Sequence, residues 1–222
     1  MQAGVLGVVD GTFDAVSSFS RTRERNGEAL ETALEITKVF SLDDGRPAFT
    51  GHAVREELST ARELDISYGE IDAAETERTS QRYTQLAGIA GEFVVVDGSR
   101  GTFAFDLIEA DTSTTVERAS IDLDGFLGAQ SDPHPWQAGF SGEDGAAHTG
   151  VLYGDDLLEN ENAAALLDRG QLTQLGLDYT YRNTDVKMTA TTSGYIEVYR
   201  PRSMGDAEFL AYVDDEFLPH CR

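Results

Sequence analysis

Fifteen arginines and two lysines, Lys38 and Lys187, supply the cationic side chains of this 222-residue sequence. A guanidinium group presents a planar fork of donors, which suits phosphate oxygens and the edges of bases. The densest run is Arg21, Arg23 and Arg25 in FSRTRERN. A second set comprises Arg78, Ser80, Gln81 and Arg82; on a helix, Arg78 and Arg82 would share one face. Arg100 stands in the short polar loop DGSRG. Glu24 and Glu75 lie near enough in sequence to pair with these arginines, so ion pairs on a solvated face are the competing account of each.

Groups that would do covalent or metal chemistry are sparse. Of the four histidines (His52, His134, His148 and His220), His134 and His148 share a loop-rich region with Asp132, Glu143, Asp144, Asp155 and Asp156. Imidazole and carboxylate together can hold a metal that activates water. No metal-binding spacing is present, and carboxylates are so abundant that their nearness carries little weight. There is no G-x-S-x-G elbow, no P-loop and no G-x-G-x-x-G. Cys221 is the only cysteine, which excludes an internal disulfide and a cysteine-built zinc site. The sequence therefore predicts no catalytic residue, metal ligand or cofactor and offers no motif that argues for an enzyme; a small-molecule-binding or hydrolytic α+β protein, with His134 or His148 gathered among carboxylates of the second half, is the remaining alternative. Trp136, Tyr153, Tyr179, Tyr181, Tyr195 and Tyr199 fall in the second half. They are placed either to line a ligand pocket on a sheet or to fill its core.

The elements that would position these residues divide at about residue 110. Residues 27–40 carry Leu30, Ala33, Leu34, Ile36 and Phe40 at helical spacing behind Asn26 as N-cap. SLDDGRPAFTG reads as a turn, and HAVREELSTARELD as a second helix after Thr50. A polar third helix is expected from about 68 to 86, with Ile71, Ala74, Tyr83 and Leu86 as its thin apolar stripe. EFVVV and TFAFDLI, joined by DGSRG, read as a β-hairpin. Beyond Thr115 come a strand through Ala119, Ile121 and Leu123, short strands at 136–140 and 149–153, and a helix over 155–170. A meander at 175–181, 186–190 and 194–199 follows, and a helix at 206–218 closes the chain.

Helix, turn, helix, helix, hairpin is the order of a winged helix-turn-helix, and residues 27–108 resemble the winged-helix DNA-binding domains of archaeal regulators. Together with the strands and helices read beyond Thr115, that resemblance gives an α+β protein. Residues 1–110 would be a winged-helix-like domain, and 111–222 an α+β domain with an antiparallel sheet packed by helices. It also implies a recognition helix at 68–86 and a wing at VVVDGSRGTFAF. Arg78, Gln81, Arg82, Arg100, Arg21, Arg23 and Arg25 would then contact double-stranded DNA, and the second domain would sense a ligand or form a homodimer. Acids at 70, 72, 75 and 77 suit the start of a helix but not phosphates, and favour instead a protein–protein adaptor on the same scaffold. The final meander and helix resemble one half of a TATA-box-binding-protein-like fold.

Composition bounds the whole. The net charge is −23, with 40 acidic residues against 17 basic. Such a surface repels itself in dilute buffer and is relieved when salt shortens the Debye length. Abundant acids with few lysines resemble the proteins of salt-accumulating halophilic archaea. No apolar run approaches the ~20 residues of a membrane span, and MQAGVLGVVDG lacks the basic lead of a secretory signal. A cytoplasmic protein with no membrane partner is expected.

Overall fold

Three short turns decide much of the architecture. Asn26-Gly27 (φ 53° and 82°), Tyr68-Gly69 (51° and 87°) and Arg182-Asn183 (46° and 62°) all occupy the left-handed region. Two successive residues of that kind make a type I′ turn, whose twist matches that of the strands it joins. Each turn therefore folds the chain back on itself as a hairpin. The structure, a computed structural model, describes residues 1–141, 149–167 and 171–222.

The first half supplies β1 (Ala3–Asp10), β2 (Phe19–Arg25), β3 (Glu28–Ser41), β4 (Pro47–Ser67), β5 (Glu70–Ile89) and β6 (Phe93–Val96). A 3-10 turn (Ser99–Thr102) leads into α1 (Phe103–Thr112). The second half supplies β7 (Thr115–Arg118), α2 (Leu123–Ala129), β8 (His134–Ser141), β9 (Thr149–Tyr153), α3 (Glu161–Leu167), β10 (Gln171–Tyr181), β11 (Thr184–Thr191), β12 (Tyr195–Arg200) and α4 (Asp206–Glu216). The twelve described strands form one antiparallel sheet ordered β2-β3-β4-β5-β6-β1-β12-β11-β10-β8-β9, with β7 beside β1. It runs through both halves of the chain.

Helices cover opposite faces at the two ends of this sheet, which gives two cores. On one face α2 and α4 bury Phe126, Phe209, Leu210, Tyr212, Val213 and Phe217 against Leu175, Leu177, Val186, Met188, Ile196 and Val198. Phe126 stacks on Phe217 with ring centroids 4.8 Å apart. On the other face α1 buries Phe103, Ala104, Phe105, Leu107 and Ile108 against Leu34, Phe49, Ala53, Leu86, Val94 and Val96. Each such large side chain contributes about 1.5–3 kcal/mol by leaving water. The central strands are therefore apolar on both faces: Val94 and Val96 meet α1, while Phe93 and Val95 meet the other core.

The winged helix-turn-helix is not present, and the α+β arrangement of a helical N-terminal domain is replaced by a mostly antiparallel sheet. The three helices expected at 27–40, after Thr50 and at 68–86 are β3, β4 and β5. The expected strand TFAFDLI belongs to α1, so no wing exists. Alternation explains the first error: Leu30 and Leu34 are buried and lie four apart, which fits a strand of period two as well as a helix. Polar length explains the second, since β4 and β5 leave the core before they end. The strand expected through Leu123 stops at Arg118, and Leu123 opens α2. Expected strands at 136–140, 149–153, 175–181, 186–190 and 194–199 lie on β8 to β12, and the last helix is α4. Of the helix expected at 155–170, α3 covers Glu161–Leu167; its end at Gly170 lies outside the described residues. No described helix is long and apolar enough to cross a membrane.

Candidate nucleic-acid interface

Antiparallel register assembles what the sequence keeps apart. Arg21 lies opposite Thr32, Thr32 opposite Arg55, and Arg55 opposite Arg82. One row across four strands thus carries three arginines. Because side chains alternate along a strand, Arg23 and Arg25 follow Arg21 on that side of β2, and Arg78 follows Arg82 on β5. The side is the one that α1 covers nearer the core, since Leu34, Ala53 and Thr84 form the neighbouring row and are buried.

Helix α1 fixes two members of the set. Arg55 Nη2 donates to the Phe103 carbonyl (3.2 Å) and to Asp106 Oδ2 (2.9 Å) at the start of α1. Its guanidinium also lies over the Phe103 ring. Arg21 Nη2 donates to the Ala110 carbonyl near the other end (3.3 Å) and lies over Phe19, 4.4 Å from the ring centroid. The 3-10 turn before α1 seats Gly101 against Thr84 and Val96, so Arg100 lies next to the row of Leu34, Ala53 and Thr84. Arg82 Nε pairs with Glu57 (2.8 Å) and Arg78 Nη2 with Glu63 (3.1 Å). Among the described residues, the side chains of Arg23, Arg25 and Arg100 make no hydrogen bond or ion pair, and all three are exposed. This side carries Arg21, Arg23, Arg25, Arg55, Arg78 and Arg82 together with Glu28, Glu57 and Glu63, with Asp106 of α1 beside it, and Asp65, Glu70 and Asp72 toward the ribbon tip.

The opposite side of the same strands is acidic. Gln81 lies there, not with the arginines: its amide donates to Glu56 Oε1 (3.1 Å). The Glu31 backbone N–H donates to the same carboxylate (2.9 Å). That donor first, then Gln81, holds the Glu56 carboxyl below the usual carboxylate range. Arg21, Arg23, Arg25, Arg78 and Arg82 are thus gathered on one side, Arg100 stands in the turn against the neighbouring row, Gln81 is on the other side, and the expected recognition helix that was to present two of them is a strand. Arg55 was missed. The signal for it was register, since reading residues 47–89 as a hairpin turned at Tyr68-Gly69 puts Arg55 opposite Arg82.

Other candidates disperse. His134 Nδ1 bonds Asp156 Oδ2 (2.7 Å), with Asp132 3.7 Å from Nε2. His52 Nδ1 bonds the Tyr83 hydroxyl (2.7 Å) and stacks on its ring. Glu143, Asp144 and His148 lie outside the described residues, and among those described no group of three is placed to hold a metal ion. The aromatics split between the two faces. Tyr179 bonds the Tyr212 hydroxyl (2.9 Å) and Tyr181 bonds Asp215 on the α4 side. Trp136 packs edge to face on Tyr199 and lies under the Lys187 ammonium on the reverse side. A cavity of about 740 Å³ beside α4 is lined in part by ion pairs, Arg46 with Asp44 and Asp214 and Arg182 with Asp215, and by the carboxylates of Asp43 and Glu208.

No protein-family model matches the chain, and a comparison with curated proteins finds no match.

Proposed function

We propose that the protein binds nucleic acid, duplex DNA in the first instance, through the arginine side of β2, β4 and β5. The observation that carries this reading is the row Arg21–Thr32–Arg55–Arg82, extended by Arg23, Arg25 and Arg78. Phosphate recognition needs several guanidinium groups at once, and a two-stranded ribbon is narrow enough to enter a major groove. Arg23 and Arg25, at the tip of a hairpin and without acidic partners among the described residues, are the groups free to meet phosphates. Arg55 and Arg82, already held by Asp106 and Glu57, shape the surface on which they act. A role in transcription rested on the winged fold and is not carried further.

Fluorescence anisotropy with a labelled duplex in stepped KCl tests the reading. Replacing Arg21, Arg23 and Arg25 together by Ala should weaken binding at least about tenfold, the scale expected when several phosphates lose their guanidinium partners. Arg202→Ala, at an exposed site far along the chain, should leave binding unchanged. An unaltered affinity in the triple variant removes this proposal.

A further inference from the structure

The β4–β5 ribbon outruns its neighbours. The β3–β4 ladder ends at Thr32 opposite Arg55, and β6 pairs β5 only from Leu86 to Ile89. Between Glu70 and Tyr83 no described strand lies on the outer edge of β5. An isolated two-stranded ribbon is marginal in water, and an open edge offers a row of unpaired backbone groups to another strand. The far end is also apolar and uncovered: Leu64 is 59% exposed, Ile66 73%, Tyr68 106% and Ile71 67%.

Along the arginine side of β5, from tip to root, the residues are Glu70, Asp72, Ala74, Thr76, Arg78, Ser80 and Arg82. Acids occupy one end, arginines the other, and small neutral residues the middle. A strand of that pattern complements itself when a copy runs antiparallel to it. We infer that β5 pairs edge to edge with β5 of a second copy about a two-fold axis at Thr76. Glu70 of each chain then lies opposite Arg82 of the other, and Asp72 lies opposite Ser80, diagonal to Arg78 and Arg82. Opposite charges directly across a strand pair stabilise it, and like charges there oppose it. On the reverse side the same rotation sets Ile71 opposite Gln81 of the second copy and diagonal to its Tyr83, both exposed apolar groups in the single chain. On that side Glu75 lies opposite Glu77 of the second copy, a like-charge pair that opposes the dimer, with Arg62, the cross-strand neighbour of Glu75, beside it. The pairing closes on itself, so a dimer forms and not a filament. It uses the ribbon's edge and does not depend on nucleic-acid binding. It would double the arginine surface by joining two copies of it in one sheet.

Sedimentation velocity without nucleic acid, in moderate salt, tests the pairing. The wild type should dimerise. E70R/D72R, whose strand is all positive on that side, and R78E/R82E, whose strand is all negative, should each dissociate at least about tenfold more readily, as several cross-strand pairs turn repulsive. An equimolar mixture of the two variants should restore the dimer, because each complements the other. Independently of these variants, Thr76→Cys in a Cys221→Ser background should crosslink between chains on oxidation, and Ser59→Cys should not. A monomeric wild type, a dimer indifferent to both charge reversals, or no crosslink at position 76 overturns the inference.

Discussion

Arg46 shows how this chain uses its scarce cations. Its guanidinium meets Asp44, Glu92 and Asp214, joining the β3–β4 turn to the β5–β6 turn and to α4. With Arg46 removed, three carboxylates would be left facing one another, Asp214 among them with only 15% of its side chain exposed. We expect Arg46→Met to cost about 2 kcal/mol, the scale of charged hydrogen bonds broken in a partly covered site, measured by urea denaturation. His134 gives a second prediction at this scale. Its hydrogen bond to Asp156, with Asp132 nearby, raises its pKa above the ordinary histidine value. A raised folded value means that the contribution is complete below the ordinary pKa and fades as pH rises through the folded one. An NMR titration should place the His134 midpoint above about 6.5, the ordinary histidine value, and Asp156→Asn should return it toward that value. An unmoved midpoint in Asp156→Asn would assign the shift elsewhere.

Elements, more than residues, separate what was legible in the sequence from what was not. The seat of Arg100 depends on Gly101, where an added Cβ would collide with the Thr84 side chain and press on Val96 Cβ. Those atoms belong to a buried Thr and a β-branched Val and cannot swing aside. Gly101→Ala should therefore lower the melting temperature and shift the amide resonances of the 3-10 turn and of Thr84, checked by thermal denaturation and NMR. In the second half, strands such as Leu175–Leu177–Tyr179 and Val186–Met188–Ala190 alternate without ambiguity, and their positions could be read directly. In the first half, Asn26-Gly27 is among the strongest short-range hairpin signals, yet Asn26 also fits an N-cap, and the two meanings compete. β4 and β5 were hidden for a different reason. Beyond Val54 and Tyr83 they leave the core, so burial no longer imposes alternation, and Arg, Glu and Ala are as natural in a helix. Five of the gathered arginines were legible as types near one another in sequence (Arg21, Arg23 and Arg25; Arg78 and Arg82). That the two groups meet in one row, with Arg55 between them, could come only from strand pairing.

At the scale of the whole molecule, one surface of concentrated arginine stands against a net charge of −23. Self-repulsion of so many acids opposes the compact state, and salt screens it, with a Debye length of about 10 Å at 0.1 M falling to about 3 Å at 1 M. We expect the melting temperature to rise between dilute and molar KCl, and a fall would show that the ion pairs outweigh the excess of acids. The same screening weakens nucleic-acid binding, so stability and affinity should move in opposite directions with salt. The most direct test of the arginine surface is the slope of log affinity for duplex DNA against log KCl concentration. Each phosphate that the protein no longer neutralises should reduce the steepness by about 0.9. In the variant with Arg21, Arg23 and Arg25 replaced by Ala the slope should be shallower by roughly two to three units. A wild-type slope near zero, or an identical slope in the variant, would contradict the assignment.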